Sequence, residues 1–278
     1  MDERSIGVFD SGVGGLTVFR EIVKMLPGEN IIYFGDTARF PYGPRNLTEV
    51  RHFVFKIADF LADSDVKMIV IACNTSTAAA LDGLKKKYSI PIIGVIEPGA
   101  RTAAHNTLNK KVGLIATQGT VESRAYEFAI KRLDPEIKLF PYAAPRLVEF
   151  IEAGLLAGKQ LDDAINGYLE PLMDEAIDVL ILGCTHFPLI EKRIRSLSKK
   201  RFKVISSAVE TAKDVKSTLN RLGLSSGRIK TSIGPGDSKG GANSNKFYET
   251  GDKSQFLEVG RLFLGGEIKE VIKVKLDM

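Results

Sequence analysis

Two unbroken apolar runs, Met68-Ile69-Val70-Ile71-Ala72 and Val179-Leu180-Ile181-Leu182-Gly183, each end on a cysteine. Runs of this length bounded by polar residues read as buried strands. Cys73 is followed by Asn74-Thr75 and Cys184 by Thr185-His186, so each thiol falls where a strand ends. They are the only two cysteines in the chain. Two thiols delivered to strand ends by two separate parts of the chain suggest acid/base groups that face one substrate from opposite sides. Inversion of a carbon stereocentre needs that arrangement.

The rest of the chain repeats the pattern of short apolar runs alternating with longer amphipathic ones, which predicts a parallel α/β architecture. Strands are expected at 5–9, 31–34, 67–72, 92–95, 112–116, 137–141, 179–182 and 203–206. Helical spacing of Val50, Phe53, Val54, Ile57, Phe60 and Leu61 marks a helix over 48–62. A second is expected over 161–176, kinked or shortened by Pro171. Breaks at Glu97-Pro98-Gly99 and near 206–208 place 98–207 in one α/β lobe. Residues 1–97 and 208–278 then join to form the other. The Gly- and Ser-rich stretch 225–245 reads as a loop without chemistry, followed by a last helix over 254–264 and a last strand over 267–276.

At 278 residues the chain is long enough for a large core. Its apolar runs fall far short of the ~20 residues of a membrane span. Residues 1–5 show no apolar signal segment, so a cytoplasmic protein is expected. Two cysteines do not make a disulfide framework, and free thiols are expected. Each thiol taken singly reads as a small buried hydrophobe; the shared setting of the two points to chemistry instead. The net charge of +5 comes with lysine clusters at Lys85-Lys86-Lys87, Lys110-Lys111 and Lys199-Lys200-Arg201. Each is expected at a helix end, where cations favour the negative pole of the dipole. Without interleaved aromatics they argue against nucleic acid and fit an anionic substrate better.

Four segments carry the chemistry. Asp10-Ser11-Gly12-Val13-Gly14-Gly15 follows the first strand; it lacks the Rossmann spacing and the P-loop lysine, so Asp10 reads as a group that orients or accepts a proton. Gly35-Asp36-Thr37-Ala38-Arg39-Phe40-Pro41-Tyr42-Gly43 is either a shaped turn that grips substrate or a plain turn with Tyr42 anchored at the surface. Cys73 lies at a helix start, where the dipole favours a thiolate, and Asn74 and Thr75 add donors for a carboxylate. Cys184 has His186 two residues on as a partner for proton exchange. His52 and His105 fall in helices and read as surface or satisfied core groups. Two cysteines and one histidine fall short of a structural zinc site, and no Cys-x-x-Cys supports dithiol redox chemistry. Glu152, a lone carboxylate before Ala153-Gly154, reads on its own as a solvated helix end.

Taken together, the segments FDSGVGGL, GDTARFPYG, ACNTSTA, IEPGA, LGCTHFPL and FYETGD resemble, in order and over nearly the whole chain, those of the cofactor-independent aspartate/glutamate racemase family, glutamate racemases in particular. The resemblance implies two parallel-sheet α/β lobes related by a pseudo-twofold axis, with the active site in the cleft between them. It implies no cofactor and no metal, and a two-base mechanism in which Cys73 serves D-glutamate and Cys184 L-glutamate. Asp10 would assist Cys73; His186, with Glu152 nearby, would assist Cys184. Asp10, Ser11, Pro41, Tyr42, Gly43, Asn74, Thr75, Thr185 and His186 would hold substrate, and Thr117 and Thr120 would close the cleft around a carboxylate. The expected partner is glutamate alone, with neither membrane nor nucleic acid, in a homodimer that supplies D-glutamate for peptidoglycan. Phe187 departs from the family's usual tyrosine, and Ser206-Ser207 replaces a stretch that often carries an aspartate.

Three other readings have distinct signatures. A sister racemase for aspartate or hydantoins would differ in the pocket for the distal group. A nucleic-acid-binding regulator would show DNA affinity that falls steeply with salt. A cysteine hydrolase built on Cys184 and His186 would leave Cys73 unexplained.

Overall fold

The computed structural model describes residues 1–228, 245–264, 268 and 270–276. The first part of the chain alternates strand and helix: β1 (Ile6–Asp10), α1 (Leu16–Met25), β2 (Ile31–Gly35), α2 (Leu47–Asp63), β3 (Met68–Ile71), α3 (Asn74–Lys87), β4 (Ile92–Gly94) and α4 (Ile96–Asn106). The middle continues with β5 (Lys111–Ala116), α5 (Gln118–Glu122), α6 (Ala125–Leu133), β6 (Lys138–Ala143), α7 (Pro145–Glu152), α8 (Lys159–Asp174), β7 (Val179–Gly183), α9 (Glu191–Leu197) and β8 (Lys203–Ser206). Then come α10 (Ser207–Leu222), β9 (Lys246–Glu249), α11 (Lys253–Leu264) and β10 (Ile272–Lys273). Single 3₁₀ turns, Thr37–Arg39 and Phe187–Ile190, follow β2 and β7.

These strands form two sheets, ordered β10-β9-β2-β1-β3-β4 and β6-β5-β7-β8, and every pairing is parallel. The fold is therefore two parallel-sheet α/β lobes. The first sheet draws on both ends of the chain and the second on its middle, and α4 and α10 carry the chain between them. Strands β1, β2, β3 and β7 are buried along their whole length, as parallel strands covered on both faces must be. One apolar cluster runs from Val8 and Leu16, beside the first sheet, to Ile115, Leu182 and Phe187 of the second lobe. The outer face of the first sheet packs Ile69 and Ile71 against Val54 and Ile57 of α2, and that of the second packs Val112 and Ile181 against Tyr126 and Ile130 of α6.

Several local expectations give way to packing. Pro98-Gly99 does not break the chain; both sit in the first turn of α4, where backbone N–H groups have no intrahelical partner for a proline to remove. Pro171 is likewise carried inside α8, which ends only at Asp174. Lys110 and Lys111 lie not at a helix end but at the start of β5, Lys110 in a left-handed turn. Strand β9 falls immediately after the stretch read as a loop, of which 229–244 lie outside the described residues. The last strand spans Ile272–Lys273 within the expected 267–276. No helix among the described residues is long and apolar enough to cross a membrane.

Candidate active site

Cys73 caps α3. Its Sγ accepts the Ser76 N–H at 3.4 Å, and the thiol donates to Ser11 Oγ at 3.8 Å. Burial and the negative charge of Asp10 push this thiol up to about 11, against the pull of donors on Ser76 and Ser11. At neutral pH Cys73 therefore rests as a thiol. Asp10 is itself fully buried at the end of β1. Its carboxylate accepts the Gly12 N–H at 3.1 Å and the Thr185 hydroxyl at 3.4 Å, and burial raises its pKa above the usual aspartate value. The donors of the glycine loop thus turn inward to Asp10 rather than outward to an anion.

On the other side Cys184 follows β7 directly, and its Sγ lies 3.7 Å from His186 Nδ1. The far nitrogen of the ring, Nε2, meets Glu152 Oε1 at 2.5 Å. Burial works against charge on His186, yet its hydrogen bonds to Cys184 and Glu152 prevail and raise it to about 10. The ring is accordingly an imidazolium at neutral pH, wedged between Phe40 and Phe263 at 5.8 and 5.4 Å between centroids. Glu152 is thus the carboxylate that holds the histidine, not a solvated helix end. Gly14 makes the approach possible: a Cβ there would stand 2.5 Å from Thr185 Oγ1 and 2.6 Å from the imidazole.

Both cysteines open onto one cavity of about 350 Å³. Of the residues expected to line it, Ser11, Pro41, Tyr42, Gly43, Asn74, Thr75, Thr117, Glu152, Thr185 and His186 do so. Asp10 and Thr120 stand behind the wall. The hydroxyls of Thr75, Thr117 and Thr120 form a triangle with sides of 2.9, 3.0 and 3.3 Å, so Thr120 is joined to the cavity wall through its two neighbours. Across the mouth the Gly119 N–H donates to Gly43 O at 2.8 Å. Tyr42 is buried, which corrects the reading of a surface anchor.

Several participants are invisible to motif reading because long-range folding recruits them. Tyr126 of α6 donates to Asn74 Oδ1 at 2.8 Å and orients that amide. Asp36, fully buried, accepts the Tyr42 hydroxyl, the Arg39 guanidinium at 2.8 Å and the Thr250 hydroxyl at 2.7 Å, which ties the late FYETGD segment to the substrate-side turn. Pro145, Val148 and Glu149 from the start of α7 supply the wall on the Glu152 side. No cluster of three or more His, Cys, Asp or Glu side chains able to hold a metal occurs among the described residues.

A thiol at the strand end of each of two parallel-sheet lobes, both open to one cavity, is the arrangement expected of a racemase that inverts a carbon stereocentre. Comparison with known proteins agrees. Residues 6–215 match the Asp/Glu/Hydantoin racemase family. The glutamate racemase of Geobacter metallireducens is 41% identical over 277 residues, covering 100% of this chain and 98% of that protein. Among solved structures, a glutamate racemase isoform of Bacillus anthracis superposes with a TM-score of 0.92 at 40% identity and 99% coverage of both chains. That of Francisella tularensis in complex with D-glutamate superposes with a TM-score of 0.89 at 36% identity, covering 100% of this chain and 99% of that one. The chain belongs to the Asp/Glu/Hydantoin racemase family, and it is an isomerase.

Proposed function

We propose that the protein is a glutamate racemase that works by two cysteine bases. The observation that carries this reading is the convergence of Cys73 and Cys184, from different lobes, on one cavity that also presents Ser11, Asn74, Thr75, Thr117 and Thr185 to a carboxylate. Full-length kinship with glutamate racemases selects the substrate.

With D-glutamate, Cys73 first gives up its resting thiol proton to solvent at the open cavity, and the resulting thiolate takes the α-hydrogen as a proton; the C–H electron pair stays on the substrate, delocalised into its α-carboxylate. The Cys184 thiol then delivers its proton to the opposite face and is left as thiolate. The L-to-D direction is the reverse. The α-proton of an amino acid is a very weak acid, so the developing charge needs fixed donors. Asn74 Nδ2, buried and without a partner among the described residues, is one such donor at the cavity wall. His186, held as a cation by Glu152, supports negative charge on Cys184. Asp10 sits where it raises the basicity of Cys73.

The lobe limits 1–97 with 208–278, and 98–207, belong to this reading and are supported by the membership of the two sheets. A homodimer in a bacterial cytoplasm that supplies D-glutamate for peptidoglycan is part of the same proposal and rests on the resemblance of the sequence motifs to glutamate racemases. The test is circular dichroism of L-glutamate in deuterated water without added cofactor, followed by NMR at Cα. Decay of the signal to zero with deuterium at Cα is expected. Either Cys73→Ser or Cys184→Ser should slow it about 100- to 10,000-fold. No decay with folded, reduced protein removes the glutamate assignment, and turnover of L-aspartate instead would transfer it to the sister enzymes.

A further inference from the structure

Four buried side-chain atoms lack a hydrogen-bond partner among the described residues: Asn30 Oδ1, Asn74 Nδ2, Ser76 Oγ and Glu249 Oε1. Asn74 lines the cavity, where the proposed reaction puts substrate. Ser76 does not line it and is fully buried in the first turn of α3, out of reach of substrate. A buried hydroxyl without a partner is costly to keep. The backbone N–H of the same residue already donates to Cys73 Sγ at 3.4 Å. The orphan hydroxyl is therefore attached to the residue that touches the sulfur.

The two thiols have unequal surroundings. Cys184 has a cationic partner in His186. Cys73 has none among the described residues: its charged neighbour is Asp10, and the groups that favour its thiolate are the Ser76 hydroxyl, the Ser76 N–H and the Ser11 hydroxyl. While Cys73 is a thiol its hydrogen points to Ser11, and the Ser76 hydroxyl has no acceptor. Once the hydrogen has left, the sulfur is an acceptor only, and a serine hydroxyl can turn to meet it.

We propose that Ser76 is a positioning residue of the Cys73 half-reaction, its hydroxyl unpaired while the sulfur is protonated and donating to the sulfur when Cys73 carries negative charge. A donor made only in the charged state stabilises that state and not the resting one, which is what speeds a proton transfer. The inference rests on the two-thiol reading of the site, but its test does not use turnover.

Alkylation by iodoacetamide is followed against pH and quantified separately at the Cys73 and Cys184 peptides by mass spectrometry. In Ser76→Ala the Cys73 profile should move upward by about one pH unit, equivalent to a tenfold loss of thiolate at a fixed pH. Below the midpoint the alkylation rate should fall only about three- to fourfold, because a less stabilised thiolate is also a better nucleophile. The Cys184 profile should not move, and Ser76→Thr, which keeps the hydroxyl, should return Cys73 towards the parent curve. An unmoved Cys73 profile in Ser76→Ala overturns the proposal. So does an equal displacement of both profiles, which would mean general loosening of the site. Unimpaired racemisation by Cys73→Ser would instead sink the two-thiol reading, and the alkylation result would stand apart from it.

Discussion

His186 is the residue on which the site's charge depends. Its pKa, raised to about 10 from the ordinary 6.5, means that the folded protein holds a proton the unfolded chain releases near neutrality. The stability this contributes is fully present below about pH 6.5 and is lost as pH rises through about 10. Cys73, raised from 9.0 to about 11, acts in the same direction over a higher window, because the unfolded thiol ionises first. Denaturation midpoints in urea should therefore fall steadily from neutral to alkaline pH. Glu152→Gln should flatten the histidine part of that slope and lower the midpoint of the His186 imidazole signals in NMR. Its cost to kcat/KM should be about 10- to 100-fold, the worth of one hydrogen bond to a charged group. An unchanged His186 titration in this variant would show that Cys184 alone holds the proton.

At the scale of elements, the turn between β1 and α1 brings the lobes into register because Gly14 lets it lie against Thr185 and His186. Gly14→Ala should leave the fold in place but lower kcat/KM by about 100-fold, since displacement of a reacting group by ~1 Å costs that much. Gly167→Ala in α8, where an added Cβ meets nothing within 4 Å among the described residues, is the matched control and should stabilise by about 0.5–1 kcal/mol with activity intact. Equal effects of the two on activity would deny Gly14 its role. The buried pair Lys67–Glu29, at 2.5 Å, ties the start of β3 to the turn before β2, and Lys67 also donates to Asp2 O at 2.7 Å. Lys67→Met should cost about 3–5 kcal/mol in urea unfolding because Glu29 is left as an unpaired buried charge. Lys67→Met combined with Glu29→Leu should recover most of that loss. These elements also show what a sequence can reveal. Strands such as 68–71 and 179–183 were legible because continuous apolar residues bounded by polar ones allow little else, and both thiols were legible because they end such runs. Helix α4 was not, since Pro98-Gly99 reads as a stop until its place in a first turn is known. Strand β9 carries only Phe247 and Tyr248 as apolar residues, and pairing with β2 makes it a strand. Ser76, Tyr126 and Asp36 escaped because a hydroxyl at a helix start or a lone aspartate has no local signature; each is defined by the group folding brings to it.

For the whole molecule, the decisive feature is that the cavity belongs to neither lobe alone. The lobes share an apolar core through α1 and α10, and they meet at the site through Gly119 N–H to Gly43 O, Thr75 to Thr117, Thr17 Oγ1 to Thr185 O at 3.1 Å and Tyr126 to Asn74. A ligand held by Ser11 and Asn74 on one side and by Thr117 and Thr185 on the other binds only the folded, joined state. Glutamate at a hundred times its Kd should then raise stability by about 2.7 kcal/mol. For a chain somewhat longer than 250 residues this corresponds to roughly 5–10 °C in Tm. Racemisation during the measurement does not weaken the test, because in the proposed reaction both enantiomers occupy the same cavity. Thr117→Val, which removes one hydroxyl from the triangle, should reduce the gain without changing the Tm of the free protein by more than a few degrees. Hydrogen exchange then separates a bridging ligand from one bound to a single lobe. Bridging glutamate slows exchange at the Ser11 and Asn74 amides and at the Gly119 and Thr185 amides together. Protection confined to either pair would place the ligand on one lobe and leave the opposing thiol without a substrate to protonate.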